Sequence, residues 1–286
     1  RMLNSARITC DFLGLKPGDT ALLCMPLDYI AGKMMVVRSL QRDLRLTSVR
    51  PSSHPLADET LPSFTFAAMV PMQVYHTLQQ PQERERLMRI RHLIIGGGAI
   101  SDELAQMIKP LPNAVWSTYG MTETLSHIAL RRLNGPDASL WYAPFDGVGI
   151  SLNADGCLVI DAPEVCAEPL VTNDIAQLRT DERTGKTLFR IKGRKDNVVC
   201  SGGIKIQIEE VEETLRPHLS APFMIVKRQD EMLGEKAILL TESADLTHIE
   251  EICRNTLPKY WVPREFLHID HLPLTETGKP KRSGAF

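Results

Sequence analysis

The sequence lacks the features that mark several special classes of protein. Its six cysteines form no C-x-x-C pair, and none has a histidine at ligand spacing. We therefore expect reduced thiols rather than disulfides or a metal site. No apolar run approaches the ~20 residues of a membrane helix, and the N-terminus shows no signal-peptide pattern. Lys+Arg 33 and Asp+Glu 35 leave a net charge of −2, which excludes a general basic surface for nucleic acid or an anionic membrane. We predict a cytoplasmic protein without such partners.

The chain has 286 residues, more than one hydrophobic core usually holds, so we expect at least two structural units. Up to about residue 145, strands alternate with helices, which indicates an α/β layer with a largely parallel sheet. The pattern predicts strands at 19–26, 64–70, 92–95 and 114–118, helices at 30–40 and 102–108, and a helix starting at Pro71. Ser101 is the expected cap of helix 102–108, and residues 41–63 read as a long loop.

A β-rich stretch follows residue 145. Strands 148–152 and 157–161 flank the hairpin signal N-A-D-G, and strands 170–178 and 187–191 flank a second turn. From residue 195 on, strands 198–200, 204–206, 223–227, 237–241 and 265–269 combine with helices 207–215 and 247–256. We predict two domains: residues 1–194, with the α/β layer to about 145 and a β-rich subdomain at 146–194, and an α+β domain at 195–286.

The segment S-T-Y-G-M-T-E-T at residues 117–124 carries the most chemistry. It follows a short strand, where α/β sheets place ligand sites. Its hydroxyl and backbone N–H groups can hold phosphate oxygens, Glu123 offers a carboxylate for Mg²⁺, and Tyr119 offers a flat face for a purine. The structural alternative is a polar β-turn with a helix cap at Thr122.

This segment resembles the Y-G-x-T-E signature of the acyl-adenylate-forming (AMP-binding) superfamily. That superfamily includes acyl-CoA ligases, peptide-synthetase adenylation domains and firefly luciferase. Further motifs match in the same order, and the resemblance as a whole covers the chain from about residue 10 to residue 282. The resemblance implies the adenylate-forming fold, with a large α/β core, a β-rich subdomain and a small mobile α+β lid domain. It also implies an AMP-forming acid–thiol ligase that uses ATP, Mg²⁺ and coenzyme A.

The resemblance also implies which residues bind the nucleotide. The glycine segment 96–99 looks like the adenine-side segment of the family, and it is no Rossmann loop because Ser101 stands where the third glycine belongs. Asp174, in a T-N-D version of the T-G-D motif, would bind the ribose hydroxyls. Asn also tolerates a positive φ where Gly is usual. The implied nucleotide contacts are Gly97, Gly98, Ala99, Ser117, Thr118, Tyr119, Gly120, Met121, Asp174 and Arg194.

The catalytic set implied by the resemblance is Lys279, Thr122 and Glu123, with Glu123 also the Mg²⁺ ligand. Lys279 ends a P-x-T-x-x-G-K motif and would neutralise charge as the acid attacks phosphorus. The G-R-K-D motif would make Asp196 the hinge between two half-reactions. The turn Ser201, Gly202 and Gly203 would line the coenzyme A tunnel. Taken singly, these motifs are also common as surface turns and basic tails.

The acid is suggested by two features of the sequence. Residues 25–32, M-P-L-D-Y-I-A-G, resemble a family stretch that borders the acyl pocket, with Tyr29 at its aromatic position. Arg38 follows inside an otherwise apolar helix, where a buried charge is costly without a partner. It either clamps a second carboxylate of the substrate, or extends to the surface or pairs with a protein carboxylate.

The o-succinylbenzoate–CoA ligases of menaquinone biosynthesis resemble this chain in the spacing of Arg38 and in the run G-M-T-E-T-x-S at 120–126. Their dicarboxylic acid suits a spare cation. His127 would add a polar contact at the acyl site, although a lone histidine is often structural.

One family motif is not found in the sequence, the Ser/Thr/Gly-rich phosphate loop ending in Lys. We expect the N-terminal part of the fold, which carries it, to be absent from this sequence. Three alternatives stay open: a ligase for another aryl or fatty acid, a peptide-synthetase adenylation domain, and a non-catalytic nucleotide-binding relative. A homodimer also stays open.

Overall fold

The computed structural model describes residues 1–98, 100–274 and 281–282. By their internal contacts these residues divide into two compact units. The first contains residues 1–151, 159–171 and 178–190. The second contains residues 152–158, 172–177 and the described residues from 191 on.

The first unit is built on a seven-stranded mixed sheet of order β2-β1-β3-β4-β5-β6-β7. Strands β1 to β5 run parallel, while β6 and β7 join antiparallel. The strands are β1 (Thr20–Leu23), β2 (Arg45–Ser48), β3 (Phe66–Met69), β4 (His92–Ile95), β5 (Ala114–Gly120), β6 (His127–Arg132) and β7 (Ala143–Pro144). The helices are α1 (Met2–Phe12), α2 (Ile30–Arg42), α3 (Pro71–Gln79), α4 (Pro81–Met88) and α5 (Asp102–Ile108).

Local sequence explains several of these boundaries. The Ser101 hydroxyl accepts a hydrogen bond from the backbone N–H of Leu104 at 3.2 Å, which confirms the predicted cap of α5. Pro71 occupies the first turn of α3, where its missing N–H costs nothing. Helix α2 ends at Arg42, and the next residue, Asp43, has a φ of 53°, in the left-handed region that stops helices.

The predicted loop at 41–63 is wrong in one part, because it contains strand β2. This strand (R-L-T-S) pairs with β1 only and forms the edge of the sheet. An edge strand buries few of its side chains, so its sequence carries little hydrophobic signal.

Strands β8 (Gly149–Leu152), β9 (Cys157–Asp161), β10 (Leu170–Thr180) and β11 (Thr187–Arg194) form a four-stranded sheet of order β11-β10-β9-β8. This agrees with the β-rich stretch expected after residue 145. The Asn153 side chain accepts hydrogen bonds from the N–H groups of Asp155 and Cys157 in the predicted turn.

The second unit contains a sheet of order β13-β12-β15-β14, with β16 parallel to β15. Its elements are β12 (Val198–Ser201), β13 (Ile204–Gln207), α6 (Ile208–Leu215), β14 (Phe223–Asp230), β15 (Gly234–Thr241), α7 (Leu246–Thr256) and β16 (Glu265–His268). Ile225 and Leu239 pack with α6 and α7, while Met224 and Ile238 pack into a second cluster. Because both faces are covered here, β14 and β15 carry continuous apolar runs.

Gly32, which ends the predicted acyl-pocket segment, is buried at the start of α2. A Cβ at this position would lie 2.2 Å from the backbone oxygen of Pro26 and 2.8 Å from its carbonyl carbon. The obstacle is backbone, so the helix or the preceding loop would have to shift. We expect Gly32→Ala to lower the free energy of unfolding by about 1–3 kcal/mol, measured by urea denaturation.

The matched control is Lys33→Ala, on the exposed side of the same helix turn, which we expect to change stability by less than about 0.5 kcal/mol. Equal stability of the two variants would contradict the close approach at Gly32.

Candidate functional site

The site expected at the end of the parallel strands contains a cavity of about 250 Å³ in the first unit. It opens at the carboxyl ends of β1, β3, β4 and β5, the edge where α/β sheets usually bind ligands. The structure brings to it these predicted site residues: Gly97, Thr118, Gly120, Met121, Thr122, Arg38 and His127. Its other polar lining residue of note is Ser126.

The glycine segment after β4 lies against the following strand more closely than a side chain would allow. A Cβ on Gly96 would stand 2.4 Å from the Thr118 hydroxyl oxygen, and Gly97 has a φ of 79°. Glycine is therefore required at both positions. Gly98 follows outside the cavity lining, near Pro71, and Ala99 lies outside the described residues.

The Y-G-x-T-E segment ends β5 in a tight turn. The buried Thr124 hydroxyl accepts a hydrogen bond from the N–H of Met121 at 3.0 Å, and a Cβ on Gly120 would meet the backbone oxygen of Ser126 at 2.3 Å. Leu125 has a φ of 63°, unusual for a residue with a side chain. The turn predicted by the structural alternative is present, but β6 and not a helix follows it, so Thr122 caps no helix.

Thr122 and Glu123 are both exposed at this turn, but only Thr122 lines the 250 Å³ cavity. Glu123 faces a separate open groove shared with residues 165–168 and Leu170. Within the described residues no three His, Cys, Asp or Glu side chains converge as metal ligands. One exposed carboxylate nevertheless fits Mg²⁺, which commonly takes one or two protein carboxylates and completes its shell with phosphate and water oxygens.

Tyr119 belongs to an aromatic cluster that the sequence did not reveal. Its ring lies edge-on to Phe189, with centroids 5.0 Å apart, and tilted against Tyr142 at 5.7 Å. The Tyr142 hydroxyl is 2.8 Å from the hydroxyl of buried Ser117. Tyr142 and Phe189 thus support two predicted nucleotide residues, Ser117 and Tyr119, which lie outside the cavity lining. No local motif identifies them, because Phe189 is brought in by an isolated β-bridge to Tyr142.

Arg38 is only 2% exposed, so it does not extend to the surface. Its Nη2 donates to the Ser126 hydroxyl at 2.6 Å and its Nη1 contacts the Met35 sulfur at 3.8 Å, while Nε has no hydrogen-bond partner among the residues described. No carboxylate in the described part of the chain pairs with it. Burial lowers the pKa of Arg38 to about 10, so the guanidinium stays charged at neutral pH. The two structural alternatives for Arg38 are both wrong for the described residues, and a cation is left facing the cavity.

His127 is buried beside Arg38 and uses both ring nitrogens. Nε2 is 3.1 Å from the Thr9 hydroxyl, and Nδ1 is 3.2 Å from the Ser126 hydroxyl. Burial and, less strongly, the Arg38 charge hold the pKa of His127 well below its usual 6.5. The imidazole is therefore neutral at physiological pH. Tyr29, by contrast, is 64% exposed at the start of α2 and does not line the cavity.

In the second unit, the structure brings together Asp174, Arg194 and Asp196. Arg194 pairs with Asp174 at 3.3 Å and with Asp196 at 3.1 Å. Asn173 is part of strand β10 and is not among the residues with positive φ. The explanation of this Asn by left-handed backbone is therefore wrong, since extended backbone accepts any residue.

The remaining predicted residues lie at a turn or outside the described residues. Ser201, Gly202 and Gly203 join β12 to β13 in a hairpin, with φ values of 56° and 83° at the two glycines. Lys279 lies outside the described residues. Among the helices that the structure describes, none is long and apolar enough to cross a bilayer.

Comparison with known proteins gives consistent matches. The AMP-binding enzyme family matches residues 1–167. The 2-succinylbenzoate–CoA ligase of Bacillus mycoides is 25% identical, over 93% of this chain and 61% of its own length. The Salmonella typhimurium enzyme of that name is 28% identical, over 93% and 59%. The chain thus spans about 61% of the length of the first of these relatives.

Solved structures match over nearly the whole chain. The acyl-CoA synthetase (AMP-forming)/AMP-acid ligase II-like protein of Dyadobacter fermentans is 32% identical, with a TM-score of 0.66, over 98% of this chain and 81% of that one. The o-succinylbenzoate CoA synthetase of Bacillus subtilis, in complex with its acyl-adenylate intermediate, is 21% identical with a TM-score of 0.77, over 98% and 63%. The predicted adenylate-forming fold is confirmed, and the chain belongs to the AMP-binding enzyme family.

Proposed function

We propose that the protein carrying this sequence is an AMP-forming acid–coenzyme A ligase. In the first half-reaction a carboxylate oxygen of the acid attacks the α-phosphorus of ATP, and pyrophosphate leaves. In the second, the coenzyme A thiolate attacks the acyl carbonyl carbon, a thioester forms, and AMP leaves with the electron pair of the broken C–O bond. Family membership and the names of the relatives support this reaction class.

We assign to the nucleotide the contacts that the family resemblance implies for each predicted residue. Tyr119 would contact the base, Asp174 the ribose hydroxyls, and Thr122 the phosphate. Arg194 already pairs with Asp174, so it would bring positive charge to the nucleotide side of the site. Mg²⁺, when bound beside Glu123, would supply charge neutralisation at the phosphates.

The second half-reaction is assigned to the second unit. The hairpin turn Ser201, Gly202 and Gly203 would take coenzyme A after a rotation at Asp196. Domain rotation of this kind lets one site serve two successive reactions. The predicted domain limits, 1–194 and 195–286, are part of this proposal.

The substrate we propose is 2-succinylbenzoate, the acid of menaquinone biosynthesis. The observation that carries this choice is the buried charge of Arg38, which no carboxylate among the described residues compensates. A guanidinium in a cavity with unused donors favours an anionic ligand group, because a buried charge without a partner is costly. A carboxylic acid that is activated at one carboxylate needs a second carboxylate to supply that group, and 2-succinylbenzoate has two.

A pyrophosphate-release assay with ATP, Mg²⁺ and coenzyme A tests this function. The acids are 2-succinylbenzoate, its two analogues that each lack one carboxylate (4-oxo-4-phenylbutanoate and 2-butanoylbenzoate), benzoate and octanoate. We expect the largest kcat/KM for 2-succinylbenzoate, and turnover of only the analogue that keeps the activated carboxylate. A preference for octanoate or benzoate would overturn the substrate assignment. Nucleotide binding without pyrophosphate release from any acid would overturn the activity.

A further inference from the structure

A chain of hydrogen bonds links the Arg38 guanidinium to helix α1. Arg38 Nη2 lies 2.6 Å from the Ser126 hydroxyl, which is 3.2 Å from His127 Nδ1. His127 Nε2 lies 3.1 Å from the hydroxyl of Thr9, which in turn is 3.1 Å from the backbone oxygen of Ser5. Thr9 is fully buried and lies far from every motif in the sequence.

The number of hydrogens on each group fixes which atom donates in each of these hydrogen bonds. Arg38 can only donate, so the Ser126 oxygen accepts from it; the Ser5 carbonyl can only accept. If Thr9 donates its one hydrogen to Ser5, its oxygen accepts from His127 Nε2–H. His127 Nδ1 is then unprotonated and accepts the Ser126 hydrogen. In this arrangement each of the hydrogens shared between Arg38 Nη2, Ser126, His127, Thr9 and Ser5 has one acceptor, as buried polar groups generally require.

The opposite tautomer, with the hydrogen on Nδ1, leaves this series of hydrogen bonds incomplete. With a hydrogen on Nδ1, the Ser126 oxygen would receive hydrogen bonds from both Arg38 and His127. Its own hydrogen would then point away from both of them and compete with Arg38 for an anion in the cavity. Thr9 would have to give its hydrogen to Nε2 and withdraw it from Ser5. We therefore assign the Nε2–H tautomer to His127.

We propose that Thr9 is a positioning residue for the acyl site: its hydroxyl fixes the His127 tautomer, and through Ser126 this holds Arg38 in the orientation that accepts the second carboxylate of the acid. The tautomer rests on the hydrogen-bond geometry alone. Its effect on acid selectivity rests also on the proposed ligase function.

The neighbours of His127 agree with a fixed neutral ring. The positive charge of Arg38 lowers the pKa of His127, and the centroid of the Phe145 ring lies 5.5 Å from that of the imidazole. Asp146 and Glu164 line a small cavity next to the ring, but they form ion pairs with Lys186 and Arg7 and are substantially exposed. Arg38, whose orientation the hydrogen bonds of His127 and Ser126 would set, is thus also a charged group that acts on the His127 ring.

The experiment measures the tautomer directly by ¹⁵N NMR of the histidine rings, with His127 assigned by comparison with His127→Gln. We expect Nε2–H in the wild-type protein and in Thr9→Ser, which keeps the hydroxyl. Thr9→Val removes the acceptor of Nε2–H and should move the hydrogen to Nδ1. Ser126→Ala should leave it on Nε2, because Thr9 is unchanged. A wild-type ring with Nδ1–H, or a ring unchanged by Thr9→Val, would overturn the proposal; if Thr9→Val does not fold, a change of tautomer in Ser126→Ala would do so.

The same variants test the link to selectivity. In Thr9→Val we expect the ratio of kcat/KM for 2-succinylbenzoate over its turned-over monocarboxylic analogue to fall by about fivefold, the effect of roughly one neutral hydrogen bond. The KM for ATP should not change, and Thr9→Ser should keep the wild-type ratio. An equal loss for both acids would mean that Thr9 acts only on folding. Absence of ligase activity in the wild type would refute the proposed function, while the NMR result would still decide the role of Thr9.

Discussion

Replacing Arg38 by alanine should lower kcat/KM for 2-succinylbenzoate roughly 5- to 150-fold. This corresponds to a loss of about 1–3 kcal/mol of transition-state stabilisation. The side chain is buried and its Nε has no hydrogen-bond partner in the part of the chain that the structure describes, so a substrate carboxylate would supply the compensating negative charge. The analogue without that carboxylate should lose much less. The measurement is the kcat/KM of wild type and variant for the two acids, treated as a double-mutant cycle.

Two further variants separate charge from packing in this experiment. Arg38→Met keeps most of the side-chain volume and removes the charge, so we expect it to show the same selective loss as alanine. Arg42→Ala, one turn further along α2, removes a guanidinium that bonds Leu15 and Asp11 outside the cavity, and selectivity should persist. A loss in Arg38→Met that is equal for the two acids would count against the clamp.

Replacing Lys279 by alanine should reduce the adenylation rate by about 10²–10³-fold, the usual effect of removing one group that stabilises transition-state charge. Charge develops on the transferred phosphorus and its oxygens only in this half-reaction, so thioester formation from pre-made acyl-AMP should be nearly normal. The two half-reactions are measured separately, by pyrophosphate release and by consumption of synthetic acyl-AMP with coenzyme A.

Lys281→Ala is the matched control, a second lysine two positions further along the same segment. It should leave adenylation within about twofold of wild type if the effect is specific to Lys279 rather than to local charge, since surface charges contribute little. Similar losses of both half-reactions in Lys279→Ala would contradict the role we give this residue.

The sequence predicted best those elements whose signals are local. Strand β4 and helix α5 occur at the predicted residues, because an apolar run ending in glycines and a serine cap specify them within a few positions. Helices and strands without such signals were not predicted, among them α1 and β6. The loop predicted over the edge strand β2 is wrong, because an edge strand pairs with only one neighbouring strand and carries little hydrophobic signal.

The residues of the candidate site also differ in whether a local sequence signal predicts them. Residues within a motif, such as Gly97 and Thr122, could be predicted because the resemblance fixes their positions, and the structure places both at one cavity. Thr9 could not, since it meets His127 across 118 positions of sequence and no pattern in the chain connects them. Arg38 was intermediate: its apolar helix suggested burial, but only the absence of a carboxylate partner within the described residues favours the clamp over a structural ion pair.

The most direct test of the account is a crystal structure of the protein with a stable sulfamoyl analogue of the 2-succinylbenzoyl adenylate. We predict the free carboxylate of the ligand within about 2.7–2.9 Å of an Arg38 nitrogen, as in charge-assisted hydrogen bonds, with the base against Tyr119 and the ribose hydroxyls on Asp174. A free carboxylate bound elsewhere, with the Arg38 guanidinium still touching only Ser126 and Met35, would contradict it.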